Sequence, residues 1–232
     1  MFKAVLFDLD NTLIDFMAMK NAACDAAIYA MIDAGLELEH DKARKILFEL
    51  YESIGIENQL VFNKFLEKVT GKVDFKILAN AIIAYRHAKQ TFTIPYPKTR
   101  SVLMKIKSKG IKLGVVSDAP RLNAWLRLAE MQLGDYFDVV VTLGDSKKLK
   151  PAPNSFKLAL KELRLRPEEV LFVGDNPNRD ILGAKKIGMK TCLAKYGQKN
   201  YSKGYAHNKN ARIRPDFQIS KINELLKIVK YK

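Results

Sequence analysis

The feature that most constrains this chain is an alternation that starts, breaks off and resumes. Short apolar runs rich in β-branched residues occur at 3–7, 113–116, 139–142, 170–173 and 190–193. They are too uniformly apolar for a sheet with one wet face, so each reads as a strand buried on both sides. Helical patterns separate the later runs, at 98–109, 121–133, 154–163 and 180–187. Gly110, Gly134 and Gly188 stand just past helix ends, and Pro120 stands at a helix start. Strands alternating with helices of this length predict a parallel sheet covered on both faces, an α/β fold.

The rhythm fails between about residues 16 and 88. No strand pattern appears there, and four amphipathic helices do: 17–34, 42–54, 59–70 and 75–88, with Asp41 and Asp74 as expected N-caps. Charge changes with the pattern. Residues 15–95 carry 10 basic and 11 acidic side chains, whereas residues 146–232 carry 21 and 7. An all-helical domain over 16–95 is therefore expected, set into a core made of 1–15 and 96–232. Thr91 to Pro97, with Pro95 and Pro97, forms the return linker. A closing helix is read over 220–229, and the basic stretch 195–214 reads as an exposed loop.

Composition removes several classes of function. With 48% hydrophobic and 28% charged residues the chain is not disordered. No apolar run approaches the ~20 residues of a bilayer span, and Asp8 and Asp10 arrive too early for a signal peptide. Cys24 and Cys192 lie far apart, which disfavours a disulfide framework and fits a reducing, cytoplasmic setting. The net charge of +15 reads as a solvated lysine-rich surface that also attracts phosphorylated anions. His40, His87 and His207 fit no metal or catalytic pattern and read as surface or helical-domain residues. Trp125 is expected in the core with Leu122, Leu126 and Ala129.

Chemistry gathers where strands end. Asp8-Leu9-Asp10-Asn11-Thr12 follows the first run, and Gly174-Asp175-Asn176-Pro177-Asn178-Arg179-Asp180 follows that at 170–173. Gly174 is expected to allow a sharp turn. Ligands of parallel sheets bind beyond the carboxyl ends of strands. If the two strands are central neighbours, Asp8, Asp10, Asp175 and Asp180 converge. Two such charges ~4 Å apart repel by ~4 kcal/mol at an effective dielectric of ~20. A hard divalent cation with oxygen ligands relieves this, and Mg²⁺ is the typical choice beside phosphate. Asp180 has a second reading, as the N-cap of the next helix. Ser117-Asp118 ends another strand and could hold an anion. Lys150, in Lys147-Lys148-Leu149-Lys150-Pro151-Ala152-Pro153, could balance phosphate and acids, while Lys147 and Lys148 read as solvated.

DLDNT, VVSDA, KPAP and GDNPNRD, in that order, resemble the four motifs of the haloacid dehalogenase superfamily over nearly the whole chain. The resemblance implies a Rossmann-like, doubly wound core with a helical cap inserted after the first motif. It implies Asp8 as a nucleophile that forms an aspartyl-phosphate, with Asp10 protonating the leaving alcohol and then activating water. It further implies Mg²⁺ held by Asp8, the Asp10 carbonyl and Asp175, supported by Asp180, and a phosphoryl group bound by Ser117, Asp118 and Lys150. Dehalogenases lack the second acid, so Asp10 indicates a phosphatase branch member acting on a small phosphorylated metabolite. Two departures stand out: Asp118 where many relatives have Asn, and Arg179 before Asp180. The alternatives are a phosphomutase of the same family, or a basic nucleic-acid-binding protein on an inactive fold. The latter is disfavoured because no recognition helix or stacking patch is visible. A membrane partner is not expected, and the oligomeric state is not legible.

Overall fold

The computed structural model describes residues 2–200 and 213–229. Among the described residues six strands form one sheet: β1 (Ala4–Phe7), β2 (Lys112–Val116), β3 (Val139–Val141), β4 (Val170–Gly174), β5 (Lys190–Ala194) and β6 (Phe217–Ile219). Their spatial order is β3-β2-β1-β4-β5-β6 and every pairing is parallel. This is the predicted doubly wound α/β sheet. β1 and β4 are buried at every residue, as the unbroken apolar runs require.

The chain leaves β1 for β2 and β3 on one side, then crosses back to lay β4 on the other. Phe7 therefore pairs with both Val115 and Val173. The direction of winding changes between β1 and β4, and this switch point is where open α/β sheets hold ligands. Ser117, Asp8 and Asp175 each stand just past the carboxyl end of their strand, at β2, β1 and β4.

The chain divides into two compact units, one made of Met1–Phe16 and Ile94–Lys232 and the other of Met17–Thr93. The second unit contains α2 (His40–Ile54), α3 (Val61–Thr70), α4 (Phe75–Phe92) and nearly all of α1 (Phe16–Asp33). Ile28, Met31, Leu47, Phe65 and Leu66 are at the centre of its own apolar cluster. The first unit adds α5 (Thr99–Lys107), α6 (Arg121–Glu130), α7 (Leu143–Ser146), α8 (Asn154–Leu163), α9 (Leu182–Lys186) and α10 (Leu225–Ile228). α8 packs Phe156 edge-on against Phe172 of β4, with ring centres 4.9 Å apart. Among the described residues no helix is long and apolar enough to cross a membrane, and both cysteines are buried and free.

Several local expectations are corrected. Asp74 caps α4 as predicted, but α2 starts earlier and Glu39, not Asp41, accepts the Asp41 and Lys42 N–H groups. α4 continues to Phe92, so the linker is shorter than 91–97. The strand β6 is short and polar at its centre. It is held by Asp216, whose carboxylate accepts from the Thr191 N–H and hydroxyl. The closing helix is a 3₁₀ turn, Ile222–Glu224, followed by α10. The largest correction is on α6. Leu122, Trp125 and Leu126 are exposed, and the buried face is Ala124, Arg127 and Leu128. Both faces of this helix are apolar enough to satisfy the periodicity. Residues 201–212, part of the predicted loop and including His207, lie outside the described residues.

Candidate active site

β1 ends at Phe7, and the Asp8 N–H donates to the Val173 carbonyl at 2.8 Å. The ladder thus continues one residue beyond the strand and fixes where Asp8 sits. Asn11 then takes a left-handed conformation, φ 59°, which its short polar side chain tolerates. The turn keeps Asp8 and Asp10 at the sheet rim.

Asp175 follows β4. Its neighbour Gly174 is required for space: a Cβ there would lie 2.5 Å from the Cβ of Asp180 and 2.7 Å from its Oδ2. The absence of a side chain lets the Asp180 carboxylate fold back against the turn, which corrects the expectation that Gly174 serves a sharp bend. The capping role considered for Asp180 falls to Asn176, whose Oδ1 accepts from the Asn178 and Arg179 N–H groups. Asp180 Oδ2 accepts from the Asn176 N–H at 3.0 Å.

These segments bring Asp8, Asp175 and Asp180 together, all buried, with one oxygen of each within 4.8 Å of the others. Lys150 meets them from the loop before α8. Its ammonium donates to Asp8 Oδ1 at 2.6 Å and to the Val116 carbonyl at 3.1 Å, and lies 2.7 Å from Asp180 Oδ1. Two hydrogen bonds and an ion pair hold the ammonium, so Lys150 is a fixed charge between two carboxylates. Lys147 and Lys148 are exposed, as expected of solvated lysines.

Ser117 is buried, and its Oγ accepts from the Ala119 N–H at 3.1 Å. That leaves its hydroxyl proton available to donate. Asp118 does something other than meet an anion: its Oδ1 accepts from the Lys150 backbone N–H at 2.9 Å, and its Oδ2 lies 3.7 Å from Arg179. It anchors the Lys150 loop. The Asp10 side chain does not join the three-carboxylate cluster. Its Oδ2 accepts from Arg127 Nη1 at 2.9 Å, and the guanidinium lies 4.5 Å from the Phe16 ring centre.

Arg127 is the residue that sequence reasoning missed. It is only 2% exposed. Nothing marks it among 40 basic residues except that it shares a helical face with Ala124 and Leu128, where a charge needs a partner. Counted over eight side chains, the site holds Asp8, Asp10, Asp118, Asp175 and Asp180 against Arg127, Lys150 and Arg179. With all five acids ionised the excess is two negative charges, which one divalent cation balances.

The electrostatics agree. Burial pushes Asp8 up from its ordinary 3.8 to about 7, with Lys150 opposing and Asp180 adding to the rise. Asp175 is raised well above the usual carboxylate range by burial and by the Asp180 and Asp8 charges. Burial alone would lower Lys150 and Arg179, but the carboxylates of Asp180 and Asp8 outweigh it and raise both. A site whose acids resist ionisation and whose bases resist neutralisation lacks positive charge. Asp8 Oδ2 is also buried, with no hydrogen-bond partner among the described residues. The donor set is all oxygen, with no His or Cys in the cluster, and it fits Mg²⁺ better than a softer metal.

Residues 2–188 match the hydrolase family described as haloacid dehalogenase-like. A glyceraldehyde 3-phosphate phosphatase of Methanocaldococcus jannaschii is 34% identical over 230 residues, covering 99% of this chain and 98% of that one. One of Pyrococcus furiosus is 34% identical over 196 residues, covering 84% and 82%. Among solved structures, a HAD phosphatase from Thermococcus onnurineus has a TM-score of 0.67 at 28% identity, covering 99% of this chain and 98% of that one. A 2-haloacid dehalogenase from Pseudomonas syringae has a TM-score of 0.68 at 22% identity, covering 99% and 98%, and shares the fold.

Proposed function

The chain belongs to the haloacid dehalogenase-like hydrolase family, in its phosphatase branch, and from that premise we propose a Mg²⁺-dependent phosphatase of small phosphate monoesters. The class of substrate is a triose phosphate, because the relatives similar over the full chain are named glyceraldehyde 3-phosphate phosphatases. The observation that carries the reading is the pairing of a buried, Lys150-bound Asp8 with an Asp10 two residues on that is gripped by an arginine instead of the carboxylate cluster. One acid is arranged to attack and the other to move protons.

Asp8, the Asp10 carbonyl and Asp175 would hold Mg²⁺, with Asp180 supporting. Bound there, the ion supplies charge that favours ionised Asp8 and neutralises phosphoryl oxygens. Asp8 then attacks phosphorus through a carboxylate oxygen. The phosphorus–ester oxygen bond breaks, and Asp10 gives its proton to the leaving alcohol. Asp10, now a carboxylate, takes a proton from water, and that water attacks phosphorus to release inorganic phosphate and restore Asp8. Arg127 keeps the Asp10 carboxyl aimed through both steps. Lys150 keeps one Asp8 oxygen engaged, and the Ser117 hydroxyl and nearby N–H groups at the end of β2 bind the phosphoryl oxygens.

The test is phosphate release from D-glyceraldehyde 3-phosphate and a panel of sugar, glycolytic and nucleotide phosphates with Mg²⁺, and its loss in Asp8→Asn. No release from any member of the panel refutes the proposal. An isomerised phosphate ester without free phosphate would make the protein a mutase. Salt-sensitive nucleic-acid binding with no turnover would make it a binding protein.

A further inference from the structure

Within the four motifs, Lys150 bridges Asp8 to Asp180. The loop of Asp8 to Thr12 and the loop of Gly174 to Asp180 must be held together although the acids they carry repel. A third segment touches both. After β5 the chain makes a 3₁₀ turn, Lys195–Asn200. The Tyr196 hydroxyl donates to the Thr12 carbonyl at 2.9 Å, and the Gln198 side-chain amide donates to the Asp175 carbonyl at 3.0 Å. Gly197, buried between them, faces both loops at once. A Cβ on it would lie 1.8 Å from the Asn11 carbonyl oxygen and 2.7 Å from the Asp175 Cβ.

This glycine is needed for contact, not for conformation, since it is not among the glycines of positive φ. A real Cβ does not come within 3.0 Å of such an atom. Any side chain therefore forces one backbone back by about 1 Å in an interior packed too densely to absorb it. Asn11 is the atom's owner and sits at φ 59°, one peptide beyond the Asp10 carbonyl. Displacing it turns the Asp10 peptide as well. The Tyr196 ring is itself fixed edge-on against Tyr96, with centres 4.8 Å apart, so its hydroxyl has little room to follow.

We propose that Tyr196, Gly197 and Gln198 form a strap that positions the divalent-cation site by clamping its two ligand loops with neutral hydrogen bonds and a side-chain-free contact. The strap touches no ligand itself. It acts through the backbones of Asn11, Thr12 and Asp175. The proposal rests on reading Asp8, Asp175 and Asp180 as a cation site.

The experiment is Mg²⁺ titration of the metal-free protein by calorimetry, for the wild type, Gly197→Ala, Tyr196→Phe, Gln198→Leu and Lys195→Ala, with circular dichroism on each. The expected result is a Kd for Gly197→Ala weaker by about 10- to 100-fold, the usual effect of disturbing groups behind a metal's ligands. Tyr196→Phe and Gln198→Leu lose less, and exposed Lys195→Ala is unchanged. If Gly197→Ala does not fold, the other two decide, because neither introduces a clash. Wild-type affinity in the folded strap variants overturns the strap. Failure of the wild type itself to bind Mg²⁺ overturns the cation site beneath it.

Discussion

Replacing Asp8 by asparagine should stabilise the metal-free protein at alkaline pH while removing its activity. The carboxyl is pushed from 3.8 to about 7, chiefly by burial. The folded protein therefore binds this proton more tightly than the unfolded chain. The associated stability is fully present below pH ~4 and is lost as pH rises through about 7. The gap corresponds to about 4 kcal/mol. Asparagine never ionises, so it avoids that loss. That shift already includes the attraction of Lys150, which keeps Asp180 and the Val116 carbonyl as partners; the cost to set against it is burying an asparagine amide the site is not built to satisfy, about 1–3 kcal/mol. A net gain of about 2 kcal/mol at pH 8 is expected, or roughly 4–8 °C in Tm for a chain of this size. Thermal unfolding in chelator at pH 5 and pH 8 measures it. The two proteins should lie closer together at pH 5 and separate further at pH 8. Saturating Mg²⁺ should reverse their order, since ligand at 100 times Kd adds about 2.7 kcal/mol to the wild type. A metal-free Asp8→Asn that is less stable than wild type at pH 8 would refute the electrostatic account of the cluster.

Other outcomes follow from the same geometry. Lys150→Met removes the charge between two buried acids. It should lower metal-free stability at pH 8 by about 3–5 kcal/mol in urea unfolding and turnover by about 100-fold or more. Arg127→Leu should cut kcat by about 10- to 100-fold with the calorimetric Mg²⁺ affinity retained, and Arg127→Lys should recover part of it. Leu126→Ser, on the exposed face of α6, should change stability by no more than about 0.5 kcal/mol; a loss of several would mean that this face is covered.

Much of this was written in local sequence, because parallel strands are buried on both faces and must be apolar throughout. The five apolar runs were legible for that reason, and so were the acids that follow β1 and β4. Phe217–Ile219 was not, because its pairing depends on Asp216 reaching Thr191 across the sheet, a tertiary fact. On α6, Leu122, Trp125 and Leu126 compete with Ala124 and Leu128 for the same helical period, and the face that brings Arg127 to Asp10 is the buried one. Arg127 was hidden because its partner is 117 residues away. Residues 195–198 read as a solvated loop from their polar, basic composition. The Tyr196-Gly197 pair was the available signal, since a glycine needed for close approach looks in sequence like one needed for a turn. Asp118 resembled an anion-binding position by its place in the order of motifs. Its carboxylate instead holds the Lys150 backbone N–H, a contact across 32 residues that only folding creates.

The central claim is that the Asp8 carboxylate carries the phosphoryl group. Rapid acid quench during turnover with Mg²⁺, followed by peptide mapping by mass spectrometry, tests it directly. The account predicts a phosphoryl increment on the peptide containing Asp8, lengthened in lifetime by Asp10→Asn and absent in Asp8→Asn. Turnover with that peptide never modified, or with the increment on another residue, would contradict it.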